Sequence, residues 1–115
     1  IVKRVPVGDH VIDFAAKLAR ATRPGSGEAP DFVKEMVGWG AGPRAGISLI
    51  SAAKAHAVLR GRVHATTGDV AAVALPVLRH RVLTTFNAEA AGVKSDDIIK
   101  RLIEELGGKD ADIKI

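Results

Sequence analysis

The chain has 115 residues, 47% of them hydrophobic and 26% charged, with no cysteine and a formal net charge of +4 at pH 7. This is the composition of one globular domain with a modest core, which excludes a disordered segment, a disulfide framework and a thiolate metal site. The basic excess suits an anionic partner, whether nucleotide, nucleic acid or acidic protein surface, without choosing among them.

The opening "IVKRVPVGDH" starts on Ile1 and holds neither an initiator Met nor an apolar signal core. A segment of a longer, cytoplasmic protein is expected, with no membrane span, since no apolar run approaches the roughly 18 residues a span needs. The first helix follows "VPVGD", with Asp9 in its first turn. Val11, Ala15, Leu18 and Thr22 recur at helical spacing, and Phe14 and Ala19 widen the stripe. "RPGSGEAP" stops it, because Pro24 disfavours a helical Arg23 and two glycines loosen the chain. Arg20 and Arg23 then fall in a last helical turn, where cations suit the dipole and need no further task.

"DFVKEMVGW" is predicted as a short helix with Phe32, Val33, Met36 and Val37 on its apolar side. Gly38, Gly40 and Gly42 end it, and Pro43 is well placed as the first residue of the next helix. From Pro43 to about Gly61 apolar or small residues occupy nearly every face, the pattern of a helix buried among others. "RVHATTGDV" places Thr66 three residues before Asp69, a capping box with Asp in place of Glu. The helix it starts carries Val70, Val73, Ala74 and Val77, and Pro76 is expected to end or kink it.

"LRHRVLTTFNAEAAG" mixes strand character in "RVLTTF" with helical "NAEAA", and reads as an extended arm with a short helix. In "SDDIIKRLIEEL", Ser95 is the expected N-cap, Asp96 and Asp97 fill the first turn, and Ile98, Ile99, Leu102, Ile103 and Leu106 form the buried stripe. The chain is therefore expected to be an all-α bundle of four to five helices around the apolar helix that begins at Pro43. Residues 1–107 form the domain, and 108–115 a frayed tail.

The sequence carries little of its own chemistry. No GxxxxGK[ST] loop is present to cradle nucleotide phosphates. His10, His56, His64 and His80 are scattered without metal-ligand spacing and are expected at the surface or at an interface, so no metal site is assigned. No nucleophilic triad is evident, and the segment by itself is not expected to be an enzyme. A basic helical module that docks nucleic acid or an acidic protein surface is the alternative reading. It is disfavoured for nucleic acid, because the helix after the glycine turn is too apolar to present to a groove. Three Phe and one Trp also supply little for base stacking.

Arg44 stands out. It follows Pro43 at the start of a helix, where exposed N–H groups already favour anions over cations. A phosphate at that helix end would remove the conflict, accepting backbone N–H bonds and a charge-assisted bond from the guanidinium. Gly40 and Gly42 would let the backbone approach it closely. Pairing of Arg44 with a carboxylate such as Glu35, or simple solvation, explains the residue as well. The residues alone leave these readings open.

Three blocks, "VPVGDHVIDFAAKLARATRP", "VGWGAGPRAGISLISAAKAHAVLRGR" and "ALPVLRHRV...FNAEAAGV", together resemble the C-terminal lid domain of the MoxR family of AAA+ ATPases, in order and across roughly residues 5–106. The resemblance implies a helical lid over a nucleotide held by a P-loop core that lies outside this chain. ATP and Mg would belong to that parent, together with a homo-hexameric ring and a role in protein remodelling or metal insertion. The resemblance also makes Arg44 in "GPRA" the sensor-two arginine, directed at the terminal phosphate, with Gly42 and Pro43 beside it. The family's usual Ser is replaced here by Gly42, which puts its capping bond in doubt. In "LRHR", residues Arg79, His80 and Arg81 become a candidate contact between neighbouring subunits, beside the plain reading of a solvated helix end. Trp39 is expected to be a packing residue rather than an adenine contact.

Overall fold

The computed structural model describes residues 6–27 and 29–107. Helix α1 (Asp9–Ala21) buries Val11, Phe14, Ala15, Leu18, Ala19 and Ala21, with Asp9 in its first turn. The expected stripe is therefore the core face, and it extends to Thr22, which is fully buried just past the helix end. Helix α3 (Ala45–Leu59) runs against α1 and against α4 (Thr67–Leu78). Its buried residues Ala45, Leu49, Ala53 and Ala57 recur every four positions. Three alanines in that row allow close approach of the neighbouring helices, as α4 does in return with Ala71 and Ala74. Helix α6 (Ser95–Gly107) closes the bundle with Ile98, Ile99, Leu102 and Ile103, and Leu106 packs at the margin.

The apolar character of α3 is broader than its buried face. Ile47 is 70% exposed and Leu59 85% exposed, so the helix is central in its contacts but open along one side. Its end is a Schellman motif: Arg62 N–H reaches the Ala57 carbonyl at 2.9 Å, and Gly61 N–H reaches Val58 at 3.0 Å. Gly61 takes φ +73° there, a backbone state that side-chain-bearing residues disfavour. The capping box of α4 forms as expected, with Thr66 and Asp69 each bonding the other's backbone N–H. Pro76 does not end the helix, which continues two residues beyond it to Leu78.

A smaller layer sits beside the four long helices. Helix α2 (Asp31–Met36) is shorter than predicted, because the chain turns extended at Val37 and forms strand β1 (Val37–Trp39). Strand β2 (Leu83–Thr84) pairs with it antiparallel, Val37 opposite Thr84 and Trp39 opposite Leu83. The predicted arm is thus a strand partner, followed by the short helix α5 (Phe86–Ala90). Thr85 ties the two halves of this layer: its N–H reaches Met36 O at 2.9 Å and its hydroxyl donates to Glu35 O at 3.0 Å.

Among the described residues the bundle is all-α apart from this two-stranded ladder and an isolated bridge between Val7 and Ala65, with six helical segments, two of them very short. Trp39 is not a packing residue. It lies on an edge of the ladder and is 71% exposed. The cap of α6 is also displaced by one residue. Lys94 O accepts the first helical N–H bonds, from Asp97 at 3.0 Å and Ile98 at 3.2 Å, and Asp97 returns a carboxylate to Lys94 N–H. Ser95 instead donates its hydroxyl to Arg79 O at 3.3 Å, tying α6 to the end of α4. The tail expected to fray, residues 108–115, lies outside the described residues.

Candidate functional site

The glycine-rich turn between β1 and α3 is built from three directions. Thr22, at the C-cap of α1, donates its hydroxyl to Ala19 O at 2.7 Å and accepts the N–H of Ala41 at 3.0 Å. Arg23 follows with Nε on Ala41 O at 2.7 Å and Nη2 on Gly42 O at 3.0 Å. Gly40 lies flat against that same chain end, where an added Cβ would sit 2.3 Å from Thr22 O. The turn is therefore stitched to α1. The space beside Gly40 is filled by the protein's own backbone, whereas Gly42 faces open space.

Helix α3 begins two residues later than predicted. Pro43 and Arg44 form a turn, Ala45 is the first helical residue, and Arg44 occupies the N-cap with φ −86° and ψ −3°. Pro43 fixes the backbone just before the cap, and Gly42 O accepts the Ala45 N–H at 3.1 Å. Gly42 is accordingly not the cap, so its lack of a side-chain acceptor leaves no capping bond missing. Arg44 is exposed and forms no ion pair among the described residues, Glu35 included.

Two shallow concavities flank this turn and share Arg23 and Pro43. One is a groove between α1 and α3 lined by Ile12, Ile47, Ile50 and the basic Arg20 and Lys54. The other is floored by Gly38, Gly40 and Gly42 and bounded by Trp39. Together they make a continuous apolar and basic face with Pro43 at its middle and Arg44 next to it. Burying exposed side chains of this size favours association, at roughly 25 cal/mol per Å² of apolar surface covered.

The AAA lid domain family matches residues 31–102 of this sequence. The chain belongs to that family. The lid is also 34% identical over 94 residues to the chaperone MoxR1 of Mycobacterium tuberculosis, an alignment that covers 82% of this chain and 25% of MoxR1. A candidate ATPase from Cytophaga hutchinsonii has a crystal structure that superposes with a TM-score of 0.79 at 27% identity, over 90% of this chain and 31% of that one. The resemblance to MoxR-family AAA+ lids read from the sequence therefore holds. The lid spans about a quarter of the length of MoxR1.

The other sequence-derived candidates lie elsewhere on the lid. Arg79, His80 and Arg81 are all exposed beyond the end of α4. Two of the three are held internally: Arg79 Nε contacts Asp96 at 2.9 Å, and Arg81 donates to the Val77 carbonyl. His10, His64 and His80 are exposed, but His56 is not a plain surface residue. Its Nδ1 lies 2.7 Å from Oδ1 of Asp69, which is fully buried and also bonded by Arg62. Burial pushes the Asp69 carboxyl up, but bonds from His56 and Thr66 and the charge of Arg62 outweigh it and hold the group below its ordinary value. The α3–α4 link was unreadable in the sequence because its partners lie on separate elements. Arg23 was missed for a related reason: its acceptors are backbone carbonyls eighteen and nineteen residues away.

Proposed function

We propose that this lid closes over ATP and Mg held by a P-loop core outside the chain, and that Arg44 is the sensor-two arginine of the resulting ATPase site. One observation carries the reading. In a member of the AAA lid family, an exposed arginine with no ion pair among the described residues occupies the N-cap of the central helix, where the helix end itself favours an anion. A guanidinium placed there would neutralise charge on the transferred phosphoryl group and would make lid position sensitive to whether that group is present. Gly42 and Pro43 set its approach. The apolar and basic face formed by Ile12, Ile47 and Trp39 with Arg20 and Lys54 is the surface against which the core would pack.

The parent would be a cytoplasmic, homo-hexameric ATPase acting as a chaperone in protein remodelling or metal insertion. The similarity to MoxR1, itself named a chaperone, supports that reading. Arg79, His80 and Arg81, all exposed, would meet an acidic surface of the next subunit in the ring. The decisive experiment is Arg44→Ala in the full-length parent. ATP turnover should fall about a hundredfold with the helical circular dichroism unchanged. Near-normal turnover would refute the role given to Arg44.

A further inference from the structure

We infer that Arg23 is a positioning residue for Arg44, acting through the carbonyls of the glycine-rich turn. The inference rests on the proposed role of Arg44. Gly42 O is a shared acceptor, taking Nη2 of Arg23 at 3.0 Å and the Ala45 N–H at 3.1 Å. The Arg44 carbonyl in turn accepts the first full helical bond of α3, from Ser48 N–H at 3.0 Å. A single oxygen thus joins the guanidinium of Arg23 to the first turn of the helix that presents Arg44. Ala41, one residue earlier, is gripped on both sides of its backbone: Thr22 takes its N–H and Arg23 its carbonyl.

Among the described residues Arg44 itself has no ion pair to hold its place, so its position is that of the turn. The turn's only side-chain supports among the described residues come from Thr22 and Arg23. Arginine is the residue type that fits, because its planar fork meets two neighbouring carbonyls at once. Lysine would bring the same charge but donate from a single point. Placement errors of about 1 Å in a reacting group cost roughly a hundredfold in rate, so loosening this turn should register as lost turnover. Direct contact of Arg23 with phosphate would make a different prediction, because the rate losses of two independent phosphate contacts multiply while those of a support and the group it supports do not.

The test is ATP turnover by the full-length parent carrying Arg23→Gln, Arg23→Lys, Arg44→Ala and the Arg23→Gln/Arg44→Ala double substitution, with thermal unfolding of each recorded alongside. The expected results are a turnover loss of about tenfold or more for R23Q, a smaller loss for R23K, and a double variant no slower than R44A alone. R23K keeps the charge and the aliphatic stem, so it remains a folded probe if R23Q unfolds. Wild-type turnover in both Arg23 variants, or losses that multiply in the double variant, would overturn the inference. Wild-type turnover in R44A would instead overturn the proposed function, so the two failures are distinct.

Discussion

The His56 imidazole lies 2.7 Å from the carboxylate of Asp69, joining the last turns of α3 to the first turn of α4. The same carboxylate caps α4 through Thr66 and pairs with Arg62 from the intervening turn. One fully buried acid therefore satisfies donors from three elements, and removing it leaves all of them short of a partner.

Asp69→Asn is expected to cost about 2 kcal/mol at neutral pH, since charge-assisted bonds at a buried site are lost. The pH dependence follows from the lowered carboxyl. Because the unfolded chain takes up the proton more readily, the contribution of Asp69 is present above the ordinary value of 3.8 and disappears as pH falls through the lower folded value. Urea unfolding of both proteins from neutral to acid pH should show wild-type stability falling below about pH 4, with the gap to the variant closing. A gap that stays constant would contradict this account.

Gly40 and Gly42 look alike in sequence but differ in surroundings. A Cβ at position 40 would collide with the backbone of Thr22 and Arg23, whereas position 42 has nothing within 4 Å. Gly40→Ala should cost about 2 kcal/mol or more, and Gly42→Ala less than about 0.5 kcal/mol. Equal melting temperatures for the two variants would argue against a turn packed on α1.

Ile47 offers a way to separate fold from docking. It is exposed on α3, so Ile47→Ser should leave stability within about 0.5 kcal/mol. In the full-length parent the same change should weaken lid closure, raising the KM for ATP several-fold. Unchanged kinetics would place the core on some other face.

The Arg79–Asp96 pair at 2.9 Å is partly solvent-exposed on both sides. Arg79→Ala should therefore cost less than about 1 kcal/mol, and the loss should shrink in high salt. A loss well above that range, insensitive to salt, would show that the junction of α4 and α6 depends on this ion pair.

The long helices were legible because their information is local. The stripes of α1 and α6 and the Thr66–Asp69 box are written at spacings of three and four residues. What failed to show was set by distant partners. Val37–Trp39 leaves the helix predicted for it because Leu83 and Thr84 arrive to pair with it, and Trp39 is exposed as a consequence. Helix α3 looked buried all round because composition cannot report that one side lacks a neighbour in this chain. Arg44 was singled out from its place after Pro43, but its support by Arg23 crosses a loop whose closure no pattern encodes.

Helix α3 is held at each end by a different neighbour: near Arg44 by the chain end of α1, and near His56 by α4. Fifteen residues span about 22 Å, and a rod pinned at both ends carries load without bending. The helix is thus a strut between the glycine-rich turn and the His56–Asp69 link.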